Sequence, residues 1–186
     1  MNLQTKLPTT ADEFLRWNEG REGKWDLVDG RIVDMMVKVS KYHAVVSGNL
    51  YTVLRTTLPC PPHVITAGEF GVKTATSVRY PDVMVDSEFG QGDDLAATAP
   101  LMLAEVLSPS TMAIDFGPKA EEYKTIDTLR HYLVLAQNEP RAWLWSRGAD
   151  GTWSGPEMIA GFAETLSLPG IGIAVLMDQL YAGIPR

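Results

Sequence analysis

The most informative stretch of the chain for its fold is a nearly continuous apolar run, Leu101-Met102-Leu103-Ala104-Glu105-Val106-Leu107. A run of this length and composition predicts a central strand that is buried on both faces of a sheet. Glu105 interrupts it, and a carboxylate in such surroundings is costly to bury unless it is paired or binds a metal. The run therefore predicts the middle of a sheet and, within it, an acid that is either ion-paired or functional.

The segments on either side of this run predict an α/β protein. An Asp-Gly turn between apolar residues in 25–35 predicts a hairpin, and a capping-box spacing at Thr10 predicts a short helix. Helices are predicted at 10–17, 40–58 and 118–126, and a strand with a short helix at 171–181. Further strands are predicted at 64–74, with an interruption at Gly68 and Gly71, and at 78–86, 131–136, 141–147 and 152–159, and a loop at 87–99. This order predicts an α/β sandwich around a mixed sheet.

Composition narrows the class of protein. The 186 residues fit one domain, 1–186, and the single cysteine, Cys60, fits a reducing compartment. Residues 1–8 lack an apolar signal core and no apolar run approaches the ~20 residues of a membrane span, so we expect a cytoplasmic protein without membrane contact. A net charge of −7 argues against a passive nucleic-acid binder, although it is compatible with a metal-dependent nuclease.

A second acid strengthens the interpretation of Glu105 as functional. Asp82 follows Pro81 at the start of an apolar strand segment, and two such strands side by side would bring both carboxylates to one point. Mg²⁺ or Mn²⁺ is bound by one or two carboxylates together with water and substrate oxygens. Lys119 and Tyr123 share one face of the following helix and are predicted to point inward. A lysine there would hold a water or stabilise charge on a phosphate.

Each candidate also has a structural interpretation. Glu105 could be a buried acid that pairs with Arg79 or Lys119, Asp82 could begin a turn, and Lys119 could be solvated. Glu121, Glu122 and Lys124 are predicted to lie toward solvent, and solvated surface is the default for Arg79, Arg141 and Arg147. Trp143, Trp145 and Trp153 could stack on bases, but we favour a role in the core or at a dimer surface.

Several motifs together resemble a known family. They are Pro81-Asp82, Glu105-Val106-Leu107-Ser108-Pro109-Ser110-Thr111, Asp115, Lys119 and Tyr123, with further matches at 25–30, His43 and 131–134. Over nearly the whole chain the sequence resembles the Uma family of putative restriction endonucleases, which belongs to the PD-(D/E)XK nuclease superfamily.

The resemblance implies a restriction-endonuclease-like fold, with a four-stranded mixed core sheet flanked by helices. It also implies that Asp82 and Glu105 are metal ligands. The superfamily's usual lysine, two residues after the glutamate, falls on Leu107, and Lys119 matches a variant position on the following helix. Further candidates with supporting roles are Asp26, His43, Glu69 and Tyr123. For His43 a surface hydrogen bond is an equal alternative, and for Glu69 a cross-strand ion pair is slightly favoured.

Two functions are compatible with these observations. The first is a metal-dependent DNA endonuclease, in which Asp82 and Glu105 hold Mg²⁺ or Mn²⁺ and Lys119 acts on the water or the phosphate. The second is a non-catalytic regulatory or assembly module, expected to be a homodimer, that retains the nuclease fold. A metal between the carboxylates with Lys119 pointing inward would favour the enzyme, and an ion pair filling the pocket would favour the module.

Overall fold

The computed structural model describes residues 7–35, 39–108 and 112–185. The strand break that the sequence predicts at Pro109-Ser110-Thr111, and the first six residues of the stretch 1–8, lie outside the described residues. The helices are α1 (Ala11–Asn18), α2 (Lys41–Thr57), α3 (Met112–Phe116), α4 (Pro118–Lys124) and α5 (Met177–Leu180), with a 3₁₀ turn at Pro169–Ile171. The strands are β1 (Trp25–Val28), β2 (Arg31–Asp34), β3 (Val64–Ala67), β4 (Val72–Lys73), β5 (Val78–Arg79), β6 (Val83–Asp86), β7 (Pro100–Val106), β8 (His131–Leu135), β9 (Arg141–Arg147), β10 (Trp153–Ala160), β11 (Thr165–Leu168) and β12 (Ile173–Leu176).

The apolar run forms a central strand, as predicted. The main sheet has six strands in the order β10-β9-β8-β7-β6-β3, in which β7 and β8 are parallel and the other neighbours are antiparallel. It is therefore the predicted mixed sheet, with six strands where the resemblance implied a core of four. Because β7 is flanked by β6 and β8, Glu105 lies in the interior of the sheet.

Helices cover both faces of this sheet. Val46, Leu50 and Leu54 recur every four residues along α2 and pack against one face, which α5 and the β11–β12 hairpin also cover. Tyr123 and Ala120 of α4 pack against the opposite face. Side chains alternate along β7, so its even-numbered residues face α2 whereas Leu103, Glu105 and Leu107 face α4. The fold thus directs Glu105 toward α4.

A smaller antiparallel sheet, in the order β2-β1-β5-β4, packs with α1 beside the main sheet. The predicted hairpin is confirmed, since Asp29 and Gly30 take φ values of 48° and 71° at its turn, as a two-residue type I′ loop requires. The strand predicted at 64–74 is interrupted between Gly68 and Gly71, as predicted, but its two parts lie in different sheets, and the strand predicted at 78–86 is wrong as a single strand because it also divides between the two sheets. Gly68 turns the chain at φ 73° in the first, and Pro81, which has no N–H to donate, interrupts the second.

Candidate catalytic and metal site

Two carboxylates lie opposite each other at neighbouring strands of the main sheet. Antiparallel β6 and β7 pair Val83 with Ala104, so Asp82 and Glu105 come next in the same register. Asp82 stands in a bend just before β6, whereas Glu105 lies within β7. The structure therefore brings together the two acids on which the sequence argument depends.

Two donors hold one oxygen of Asp82. The backbone N–H of Val106 donates to Oδ2 at 2.8 Å, and Nε2 of His43 lies 3.1 Å from the same oxygen. His43 reaches it from the first turn of α2, which Ser40 caps. Burial raises the pKa of Asp82, but the hydrogen bond and charge of His43 and the N–H of Val106 outweigh it, so the pKa lies below its ordinary value. Asp82 is therefore ionised, and these contacts leave Oδ1 unused.

Glu105 is buried and is held by two side chains of α4. The Tyr123 hydroxyl donates to Oε1 at 2.9 Å, and the Lys119 ammonium lies 3.1 Å from the same atom. The four-residue spacing of Lys119 and Tyr123 places both on the helix face toward the sheet. Burial raises the pKa of Glu105 to about 8, since the charges of Asp82 and Asp115 add to burial and the opposing effect of Lys119 is smaller.

Asp115 is a part of this site that was not among the predicted site residues. Its Oδ1 lies 2.7 Å from Nζ of Lys119, as an ion pair rather than a well-aligned hydrogen bond, and its side chain is 1% exposed. Burial opposes a charge on Lys119, but Glu105 and Asp115 hold its pKa above the usual value. Lys119 thus carries its charge between two acids. The available signal was the position of Asp115 four residues before Lys119, within the motif that carried the resemblance.

A second buried network adjoins the first. The guanidinium of Arg79 lies 2.8 Å from Oε2 of Glu122 and 3.5 Å from Oδ2 of Asp26. The expectation that Arg79 and Glu122 face solvent is wrong, because β5 packs against α4 through this pair. Burial raises the pKa of Asp26, and the charges of Lys119 and Arg79 act against it. Asp26 therefore lies within electrostatic reach of Lys119 and pairs with Arg79.

A cleft with a volume of about 1100 Å³ opens beside Asp82. His43 and Glu69 also line it, and Glu69 lies exposed in the loop between β3 and β4. Within residues 7–35, 39–108 and 112–185, Glu69 has no basic partner at ion-pair distance, so the favoured ion pair is absent from that part of the chain. The same part of the chain places Asp82 at the cleft wall and Glu105 behind it.

The remaining candidates have structural roles. Trp143 and Trp145 pack with Phe116 on the α4 face, so the interpretation as core residues agrees with their positions. Trp153 packs partly buried against the same cluster. Arg147 donates to backbone carbonyls of the segment after α4, and Arg141 pairs with exposed Glu139. None of these contacts brings them to the carboxylates.

The donor set fits a hard divalent cation. Asp82 and Glu105 offer two facing carboxylates. The contacts described above, which involve residues within the described ranges, engage Oδ2 of Asp82 and Oε1 of Glu105, so Oδ1 and Oε2 are the candidate ligand atoms. No group of three or more Asp, Glu, His or Cys side chains in the described ranges is arranged to hold a metal. Mg²⁺ suits a two-carboxylate site because it keeps several water ligands and takes the rest of its shell from substrate.

The fold class of the protein follows from its similarity to a solved structure. A putative nuclease of the DUF820 group from Anabaena variabilis has a similar crystal structure, with a TM-score of 0.73 and 15% identity, covering 94% of this chain and 98% of that one. The mixed sheet with helices on both faces is therefore a restriction-endonuclease-like fold, as predicted.

The family follows from the sequence comparison. Residues 11–177 match the model of the Uma2 family, described as putative restriction endonucleases, and the chain belongs to that family. Two relatives come from Synechocystis sp. and are named as uncharacterized proteins slr1290 and sll1609. The first is 29% identical, covering 94% of this chain and 92% of the relative, and the second is 30% identical, covering 88% and 95%. The family resemblance drawn from the motifs is confirmed.

Within the described residues, no helix combines the length and the apolar character that a membrane-spanning helix requires.

Proposed function

We propose that the protein is a metal-dependent DNA endonuclease whose site consists of Asp82, Glu105 and Lys119. The observation that carries the proposal is the charged Lys119, buried at 3.1 Å from Glu105 while Glu105 faces Asp82 across the strands. Membership of a family described as putative restriction endonucleases supports a phosphodiester of DNA as the substrate. Mg²⁺ or Mn²⁺ is the proposed cofactor.

Asp82 and Glu105 would hold the cation through Oδ1 and Oε2, the carboxylate oxygens opposite those that His43, Val106, Lys119 and Tyr123 contact. When bound, the cation would supply Lewis-acid chemistry, lowering the pKa of a water molecule and neutralising phosphate charge. The protein's own part is orientation: His43 and the backbone of Val106 fix the Asp82 carboxylate, and Tyr123 fixes Glu105. Hydrogen bonds of this kind to ligand groups typically matter for metal affinity.

Lys119 supplies the positive charge that the usual lysine would provide at the position of Leu107. Asp115 pairs with the ammonium at 2.7 Å, so Lys119 stays charged and is held in place. A fixed cation beside a metal site stabilises the negative charge that develops on a phosphate during hydrolysis. Asp115 is therefore a positioning residue for Lys119.

Plasmid nicking in Mg²⁺ or Mn²⁺ tests the proposal. We expect wild-type protein to nick, Asp82→Asn and Glu105→Gln to lose the activity, and Glu121→Gln to keep it, since Glu121 is 74% exposed on the same helix as Lys119. Nicking that persists in both site variants would contradict the proposed site. Circular dichroism of each variant distinguishes loss of chemistry from loss of fold.

A second candidate rests on a specific observation. Lys119 forms ion pairs with Glu105 and Asp115, and Leu107, where the usual lysine would stand, packs in the apolar cluster on the α4 face. Both features suit a non-catalytic module in which the acids are purely structural. In that case wild-type protein would not nick, and Mn²⁺ would not change its melting temperature. A homodimer, expected on either function, is tested by light scattering.

A further inference from the structure

One wall of the cleft beside Asp82 carries mostly small side chains. Ala44, Ser47, Gly48 and Tyr51 follow helical spacings of three, four and seven residues along α2 and line the cleft together. Three of the four are small, and a Cβ added at Gly48 would meet no atom within 4 Å. The sequence of α2 therefore leaves space here that a larger side chain would fill.

Aromatic side chains line the cleft around this wall. Trp25, Tyr51 and Tyr80 are each partly exposed at its surface. The indole N–H of Trp25 donates to a backbone carbonyl at 2.9 Å, and the hydroxyl of Tyr80 accepts from Nδ2 of Asn18 at 2.9 Å. Because these contacts fix two of the three rings, little side-chain entropy remains to be lost when a flat ligand packs against them.

The charges of the cleft do not favour a ligand that is bound mainly through phosphates. Arg21 and Lys24 line it, but so do Glu19, Glu69 and Asp82. With a net charge of −7 on the chain as well, electrostatic attraction contributes little to nucleic-acid affinity. Aromatic stacking is the remaining source of affinity, and it requires bases whose faces are accessible, which paired bases inside a duplex are not.

We propose that this cleft binds an unpaired segment of DNA, with bases against the Trp25, Tyr51 and Tyr80 rings and the backbone directed toward Asp82. Its volume of about 1100 Å³ lies just above the range of about 300–1,000 Å³ for small-ligand pockets, which suits a few nucleotides of one strand and not a double helix. The inference rests on the proposed nuclease function and specifies its substrate as single-stranded or locally opened DNA.

The test uses a steric block that leaves the carboxylates untouched. Gly48→Leu adds a side chain to the cleft wall at an exposed helical position, where leucine also has the higher helix propensity, so the fold should be retained. Thr56→Leu is the matched control, since it adds the same side chain to an exposed position of α2 outside the cleft. Binding of a fluorescein-labelled oligothymidylate is measured by anisotropy in EDTA, so that no cleavage can occur.

We expect the full-length wild-type protein and Thr56→Leu to bind the oligonucleotide with equal affinity, and Gly48→Leu to bind about tenfold more weakly, as the loss of one stacked base would give. An unlabelled duplex of the same length should compete poorly. Equal affinity of the two leucine variants, a duplex that competes as well as the single strand, or no binding by wild type would each overturn the inference.

The two proposals fail separately. Binding that Gly48→Leu weakens, in a protein that cleaves neither plasmid nor the oligonucleotide in Mn²⁺, would retain the cleft as a single-strand site and reject the endonuclease. Nicking that depends on Asp82 and Glu105, together with binding that Gly48→Leu leaves unchanged, would retain the endonuclease and reject the cleft.

Discussion

Replacing Lys119 by methionine removes the ammonium group that lies between two buried carboxylates. In the native protein Nζ is 2.7 Å from Asp115 and 3.1 Å from Glu105, and the three side chains are 1% to 8% exposed. Methionine keeps most of the length and the apolar contacts of the lysine stem. The change therefore isolates the charge, and leaves two acids without the partner that offsets their burial.

The expected loss follows from the burial of the pair. Removing one partner of a buried ion pair costs about 3–5 kcal/mol, because the other charge remains desolvated. Glu105 can escape part of this cost by protonation, since burial already raises its pKa to about 8. Asp115 is as buried and adds its own penalty. We therefore expect Lys119→Met to lower the free energy of unfolding by about 3 kcal/mol at neutral pH, the lower end of that range.

Urea unfolding followed by tryptophan fluorescence in metal-free buffer measures this loss. Lys124→Met is the matched control, since Nζ of Lys124 pairs at 2.6 Å with Glu121, whose side chain is 74% exposed, and such surface pairs contribute less than about 1 kcal/mol. Adding Asp115→Asn to Lys119→Met should recover part of the loss, because the carboxylate that Lys119 paired with at 2.7 Å is then gone. Equal losses in the two methionine variants would refute the placement of Lys119 between the acids.

Three further predictions concern other parts of the molecule. Burial lowers the pKa of His131 to about 4, and the backbone N–H of Gly170 donates to its ring. As the pH falls from about 6.5 to 4, the unfolded chain therefore binds a proton at His131 that the folded protein does not. Up to about 3 kcal/mol of the free energy of unfolding is lost over this range. Urea titrations across this range should show a shallower fall in His131→Gln, and parallel curves would contradict the assignment. Mn²⁺ at a concentration one hundred times its dissociation constant should stabilise the wild-type protein by about 2.7 kcal/mol, and Asp82→Asn by much less. Thermal melts measure both gains, and an equal gain in the variant would mean that the cation binds elsewhere. Arg79→Met should cost about 3–5 kcal/mol in the urea assay because it leaves Glu122 partly buried without its cation, whereas a loss under 1 kcal/mol would show that the pair is solvated.

Much of the fold could be predicted from sequence because its signals are local. The apolar run around Glu105 has no polar alternation, which is what a strand covered on both faces requires. The Asp29-Gly30 turn and the four-residue apolar spacing of α2 are equally local. The local pattern could not show which sheet a strand joins. Segments 64–74 and 78–86 each contribute one strand to the main sheet and one to the smaller sheet, and that division depends on contacts between residues distant in sequence.

The site was predictable to the extent that its residues interrupt apolar segments. Glu105 stands out in β7 for this reason, and Lys119 follows from the helical face that it shares with Tyr123. Glu122 did not stand out, because a charged residue next to Glu121 on a short helix has the pattern of a solvated face. Glu122 is partly buried because it pairs with Arg79 of β5, and the spacing of residues within α4 gives no indication of that ion pair. Partners from distant segments are what a single sequence conceals.

The departure at Leu107 is explained by the geometry of the two faces of β7. Leu103, Glu105 and Leu107 point to the same face, on which α4 packs, and Leu107 is buried in the apolar cluster there. A lysine at 107 would have to carry its charge into that cluster, whereas α4 brings Lys119 to within 3.1 Å of Glu105, with Asp115 of α3 at 2.7 Å to balance its charge. Moving the lysine to the helix therefore keeps a cation beside Glu105 while the strand retains an apolar residue for packing. The same arrangement means that Lys119 is positioned by α4, on which it lies, and by Asp115 of α3, so the cation beside Glu105 depends on two short helices as well as on the sheet.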